Sequence, residues 1–389
     1  MYPRVSRSVE LFAGAGGLGI GLSQAGFEPC EVVEFNRWCC DTLRENHATV
    51  ARTTDSWRIL EGDIRHIDFR PLEGTVDLVS GGPPCQPFSL GGKHRAHNDH
   101  RDMFSEAVRA VREIRPKAFV FENVKGLMRS SFAAYRDYIR LQMEHPDVVA
   151  REGEDWADHR ARLEQHHTGA SDAGLRYNVV VQQLNSADYS VPQKRERVVF
   201  VGFRHDIGVS WAFPRGQYSQ EALAWDQVFG TYWDRHSVRI ADRQLDGRIG
   251  ALAKRLSRSE RPAGHPWRTV RDALHGLSDP MVASDKRLNH VFQAGARSYP
   301  GHTGSFIDEP AKTLKAGVHG VPGGENMLRH PDGSVRYFTV RESARLQTFP
   351  DTYKFHGAWT ECMRQLGNAV PVELARCVGA SVAEQLKVA

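Results

Sequence analysis

"VELFAGAGGLGIGL", Val9 to Leu22, passes from a short apolar run through a glycine-dense turn into a segment with helical apolar spacing. Gly14, Gly16 and Gly19 stand in G-x-G-x-x-G spacing at this strand-to-helix junction. There the glycines let the backbone approach a ligand closely, while the helix N-terminus offers unpaired N–H groups. Glu34 ends the next apolar run, where such a fold presents a carboxylate to ribose hydroxyls. Outward from this stretch, "EVVEF", "ILEGDI", "VDLVSG", "AFVFEN", "VVVQQL" and "VVFVGF" read as further strands, most of them continuous apolar runs of the kind buried on both sheet faces. Met103, Ala107, Val108, Val111 and Ile114 fall on one helical stripe that stops before Pro116. Strands alternating with helices give an α/β doubly wound, Rossmann-like sheet.

The alternation covers residues 1–204, broken by a charged, solvated helical insertion at about 138–176. Residues 205–337 lose it and gain tryptophans, histidines and glycine-rich loops, as expected of a separate, smaller loop-rich domain. After Phe338 the helical pattern returns, so 338–389 are expected to rejoin the first domain. Between 206 and 337 there are 18 Lys and Arg against 14 Asp and Glu, an excess of four that equals the formal net charge of the whole chain, +4. A positive excess interleaved with Trp, His and Tyr suits a phosphate backbone. No apolar run approaches the roughly 18 residues that span a bilayer, and the N-terminus lacks the apolar core of a signal peptide. A cytoplasmic protein without a membrane partner is expected.

The glycine loop alone fits a nicotinamide dinucleotide or S-adenosylmethionine. "EGDI" places Asp63 at a strand end, where it can accept a hydrogen bond from an adenine amino group, and Phe35 beside Glu34 offers an aromatic face. None of the six cysteines forms a Cys-x-x-Cys pair of the kind that holds zinc, and no metal is expected. Five cysteines read as small buried hydrophobes. Cys85 does not: in "GGPPCQPF" the glycines permit a sharp turn at the ligand edge of the sheet and the prolines stiffen it, presenting a thiol as a nucleophile. "AFVFENV" delivers the Glu122 carboxyl to the same edge, a pairing of nucleophile and general acid. "VPQKRERVVFVGF" starts a strand with Arg195 and Arg197 on one face.

Together "ELFAGAGGLGIGL", "GGPPCQPFSLGGK", "FVFENV", "DYSVPQKRERVVFVGFR", "RESARLQTFP" and "QLGNAVP" resemble the DNA (cytosine-5) methyltransferases, bacterial restriction-modification type, in that family's order. One departure is Ser190, where that family usually has glycine. The resemblance implies Cys85 as nucleophile, Glu122 on ring nitrogen 3 of the cytosine, Arg197 on its carbonyl oxygen and Arg195 supporting the loop or a phosphate. It implies S-adenosylmethionine held by Phe12, Gly14, Gly16, Gly17, Glu34, Phe35, Asp63, Ile64, Pro83 and Asn368, with S-adenosylhomocysteine as product. The flipped-out substrate base falls to Gln86, Ser89 and Thr313, with Gly91 and Gly92 hinging a closing loop. The 205–337 region takes the place of the target-recognition domain, with double-stranded DNA as partner, a separate restriction endonuclease as companion and a monomeric enzyme. Rival readings are a tRNA cytosine-5 methyltransferase, a DNA-binding repressor that keeps the fold without the reaction, and a dinucleotide oxidoreductase; the last leaves Pro-Cys-Gln and Glu-Asn-Val unexplained.

Overall fold

The computed structural model describes residues 6–50, 56–84, 103–169, 174–245, 247–257, 260–316 and 326–388. Seven strands form one sheet: β1 (Ser6–Leu11), β2 (Phe27–Glu34), β3 (Arg58–Glu61), β4 (Leu78–Gly81), β5 (Ala118–Val124), β6 (Tyr177–Asn185) and β7 (Glu196–Arg204). Their order is β3-β2-β1-β4-β5-β7-β6. β1 runs parallel to both β2 and β4, β2 to β3, and β4 to β5, whereas β7 is antiparallel to β5. The chain winds from β1 outward to β3 and then crosses to β4, so the order reverses between β1 and β4. In open α/β sheets the crevice beyond the carboxyl ends of such a switch point receives the ligand. The glycine turn follows β1, and Pro83 and Pro84 follow β4.

Helices α1 (Gly17–Gln24), α2 (Arg37–Val50), α3 (Phe104–Ile114), α4 (Ala133–Glu144) and α5 (Trp156–Thr168) accompany the sheet. In α3 the expected stripe is buried at Ala107, Val108, Val111 and Ile114, and Arg115 closes the helix in the left-handed region. The core joins Val9, Leu11, Val79, Phe119, Phe121, Val198 and Phe200 of the strands to that stripe. It also contains Tyr138, Ile139, Leu141, Met143, Leu163 and Leu175. The expected solvated insertion at 138–176 is thereby corrected: its charges sit on helices whose other face is part of the main core. High charge density masked an apolar stripe of modest width.

Two compact units divide the chain. The first comprises Met1–Leu184, Glu196–Pro214 and Ala375–Ala389, the second Asn185–Arg195 and Arg215–Leu374. These boundaries differ from the expected ones at 204 and 337. Phe338 and Leu346 belong to a buried cluster of the second unit with Val270, Ala311, Leu314 and Leu328. Only the later part of the final helix, Val372–Val388, lies in the first unit. The second unit holds a three-stranded sheet of Ser305–Phe306, Met327–Arg329 and Val335–Tyr337, a two-stranded pair, and helices such as Gln220–Phe229 and Trp359–Asn368. It is richer in helix than its glycine loops suggested.

Ser190 in this unit closes a short helical turn at φ 68°, ψ 10°, in the left-handed region. A side chain there costs about 1–2 kcal/mol, which a glycine would avoid. Ser190→Gly removes that strain but frees the unfolded chain by about 0.4–1 kcal/mol. A net stabilisation of about 0.5–1 kcal/mol is expected, read as a higher thermal midpoint. A lower midpoint would show that the hydroxyl contributes more than the strain costs.

Candidate active site

The turn after β1 is built on glycines for three separate reasons. Gly14 sits at φ 55° and the space a Cβ would occupy there is open; Gly16 caps α1 at φ 81° without any side-chain cap. A backbone in this state can approach a ligand directly. Gly19 serves packing instead. A Cβ there would lie 1.7 Å from Glu10 Oε2 and 3.1 Å from the Trp57 ring, and the Gly19 N–H donates to Glu10 Oε1 at 2.9 Å. Burial pushes the Glu10 carboxyl up to about 8, against the hydrogen bond from Gly19, so it is protonated at neutral pH. Phe12, just after β1, is itself left-handed at φ 54°. An aromatic residue in that region marks a turn held by its surroundings, and sequence alone did not show it.

Glu34 at the end of β2 accepts the Gly14 N–H at Oε2 and the Asn36 N–H at Oε1, both at 2.7 Å. Burial raises its pKa against those amide hydrogen bonds. The carboxylate thus fixes the glycine turn. Phe35 beside it is 75% exposed. The strand expected through Asp63 ends earlier, at Glu61. Asp63 instead caps a short turn, Ile64–His66, accepting from the Arg65 backbone and guanidinium, and this holds its carboxyl down at about 2. Ile64 is buried in the core and anchors the turn.

Cys85, Gln86, Ser89, Gly91 and Gly92 lie outside the described residues. The residues leading to them do not. Pro83 is buried, and its carbonyl accepts from Asn123 Nδ2 at 2.9 Å; the Pro84 carbonyl accepts from the Met103 N–H at 3.2 Å. Asn123, which carried no role in the sequence reading, therefore ties the Pro83 carbonyl, two residues before Cys85, to the end of β5. The signal was its place directly after Glu122. Glu122 itself is buried, and its Oε1 forms an ion pair with Arg197 Nε at 2.6 Å. Its Oε2 lies 3.3 Å from where a Gly82 Cβ would be, so glycine there leaves the carboxyl room. Burial lowers the Arg197 pKa, opposed by the Glu122 charge. β5 and β7 are paired so that Val124 faces Arg197, which brings the two side chains to one place. The described cysteines fit the hydrophobe reading: Cys30, Cys39, Cys40 and Cys362 are buried and Cys377 is partly so.

Arg195 precedes β7, which starts at Glu196, so the expectation that both arginines share one strand face does not hold. The two belong to different compact units. Arg195 is fully buried and donates to the carbonyls of Leu314 at 3.0 Å and Gly367 at 2.7 Å. Thr313 Oγ1 donates to the Lys194 carbonyl at 2.7 Å, and the Leu314 N–H to Gln193 Oε1 at 2.9 Å. Thr313 thus helps to sew together three segments of the second unit. Gly367 has its glycine for the same reason, since a Cβ would lie 2.3 Å from the Ala316 nitrogen. Asn368 is exposed between buried Gly367 and Ala369.

Relatives bear on what this arrangement does. Type II methyltransferase M.PspPI of Psychrobacter sp. (strain TA137) is 33% identical over 387 residues, covering 98% of this chain and 80% of that protein. Type II methyltransferase M.Eco47II of Escherichia coli is 30% identical over 382 residues, covering 97% and 79%. The S. pombe Dnmt2 methyltransferase structure shares the fold, with a TM-score of 0.56 at 18% identity over 98% of this chain and 99% of that one. The family model of C-5 cytosine-specific DNA methylases matches residues 6–145 and 157–384; the chain belongs to that family and is a DNA cytosine-5 methyltransferase.

Proposed function

We propose that the chain methylates carbon 5 of a cytosine flipped out of double-stranded DNA within one short sequence, through a transient covalent bond to Cys85, as the modification enzyme of a restriction-modification system. The observation that carries this reading is the buried Glu122–Arg197 pair at the end of β5, with Asn123 next to Glu122 holding the Pro83 carbonyl two residues before Cys85.

Flipping the base out of the stack costs a few kcal/mol and gives access to its ring. The Cys85 thiolate adds to carbon 6 while Glu122, in its protonated form, delivers a proton to ring nitrogen 3. This turns carbon 5 into an enamine-type nucleophile. Arg197 orients the Glu122 carboxyl and reaches the cytosine carbonyl oxygen. After transfer, water takes the carbon 5 proton, the Cys85 thiolate is expelled, and the nitrogen 3 proton returns to Glu122, which restores the aromatic ring. Arg195, engaged by two backbone carbonyls, is a positioning residue in this scheme.

S-adenosylmethionine supplies the electrophilic methyl group. The residues fit it: a glycine turn open at Gly14 and continued by Gly16 and Gly17 for the close backbone approach, Glu34 for the ribose, the exposed Phe35 ring for the adenine, and Asp63 and Ile64 on the next turn. Phe12, Pro83 and Asn368 complete the expected set, with Gln86, Ser89 and Thr313 toward the target nucleotide. The second unit, with its surplus of Lys and Arg, is the recognition region in this reading.

Base-resolution mapping of 5-methylcytosine in DNA from an expressing host that lacks such methylation tests the proposal. Near-complete methylation within one short motif is expected. An unmethylated genome despite soluble, folded protein would overturn it.

A further inference from the structure

We infer that Glu144, His145 and His167 form a binding site for one divalent transition-metal ion, zinc by its ligand chemistry, that clips the end of α4 to the end of α5. Glu144 is the last residue of α4, His145 caps that helix, and His167 lies in the last turn of α5. Both helices belong to the first unit. One ligand atom from each residue lies within 4.8 Å of the other two. His145 Nε2 and His167 Nδ1 are 3.0 Å apart, and His167 Nδ1 is 3.5 Å from Glu144 Oε2. Zinc–nitrogen and zinc–oxygen bonds of about 2.0–2.2 Å place tetrahedral ligands roughly 3.3 Å apart, which those two edges bracket.

The second observation is the carboxylate itself. Glu144 is 7% exposed; its Oε1 accepts from Arg140 Nη1 at 2.6 Å, while Oε2 is buried without a hydrogen-bond partner. A buried carboxylate oxygen left in that state is costly, and it faces the two imidazoles. A cation among them satisfies it, and the Arg140 contact is the kind of outer hydrogen bond that fixes a ligating carboxylate. His145 is buried beside this carboxylate, so its ring is held in place by its surroundings. His167 is exposed, leaving an entry path and room for water as a fourth ligand. Two histidines and a carboxylate suit zinc better than calcium or magnesium, which prefer all-oxygen shells.

The test uses the untagged full-length chain, stripped with a chelator and titrated with zinc chloride alone, alongside His167→Gln and Glu144→Gln. One equivalent is expected to bind tightest in the wild type and to raise its thermal midpoint. Each variant should bind that equivalent at least about 100-fold more weakly, because loss of a ligand exceeds the usual effect of losing an outer partner. Cobalt in place of zinc should give the visible absorption of a four-coordinate site. No uptake at micromolar zinc, or uptake and midpoint shift unchanged in His167→Gln, would overturn the inference. His167 is exposed, so that variant decides the matter even if the buried Glu144→Gln fails to fold.

Discussion

Cys85→Ala ends methyl transfer and leaves S-adenosylmethionine binding in place. Carbon 5 of cytosine is too poor a nucleophile to accept a methyl group unaided, so loss of the attacking group should cost about 10⁴-fold or more in turnover, as it does where a covalent nucleophile is removed elsewhere. Binding should survive because the groups that shape the cofactor turn do not involve the thiol. Glu34 holds the Gly14 amide, and Asn123 and Met103 hold the carbonyls of Pro83 and Pro84. Duplex DNA with 5-fluorocytosine at the target separates the covalent route from mere proximity. Fluorine cannot leave as the carbon 5 proton does, so the wild type should stay bonded to the DNA in denaturant and Cys85→Ala should not. Turnover in the alanine variant, or no trapped adduct beside normal turnover on cytosine, would remove Cys85 as nucleophile.

Much of the sheet was legible because its strands are apolar on both faces. Every run marked as a strand overlaps one of β1 to β7, and the α3 stripe was visible because Pro116 ends it. Short-range signals failed where a polar residue formed a cap or reached across the chain. Asp63 looked like the last residue of a strand, yet Asp63 and Arg65 form a local cap, and the strand pairing stops at Glu61. "KRER" looked like simple alternation, yet Arg195 reaches carbonyls 119 and 172 positions away in the chain. No periodicity encodes such a reach. The charged segment before β6 hid its buried face because Tyr138, Ile139, Leu141 and Leu163 are spaced among many Arg, Glu and His. Glu144 and His145 adjoin in sequence, but His167 joins them only through the packing of α5 against α4. That proximity has no signature in cysteine or histidine spacing.

Glu122→Gln should lower turnover by about 10²- to 10⁴-fold, the usual contribution of a positioned proton donor. Glutamine keeps the length of the side chain and can still accept from Arg197, but it cannot pass a proton to ring nitrogen 3. The substitution also breaks a buried ion pair, whose side chains are 11% and 10% exposed. Arg197 is then left without its counter-charge, at a cost of up to about 3 kcal/mol in stability. A fall in activity alone would therefore be ambiguous. Pairing Glu122→Gln with Arg197→Met removes the stranded cation, and replacing a buried pair by apolar or neutral groups is often near neutral for stability. The double variant should regain much of the thermal midpoint and remain inactive, because the proton donor is still missing. The single variant should also fail to trap 5-fluorocytosine at an appreciable rate, since addition of Cys85 to carbon 6 needs the proton at nitrogen 3. If it traps at the wild-type rate and turns over slowly, Glu122 acts after addition. If turnover stays at the wild-type level, the Glu122–Arg197 pair is architecture, and the proton must reach the base from another group.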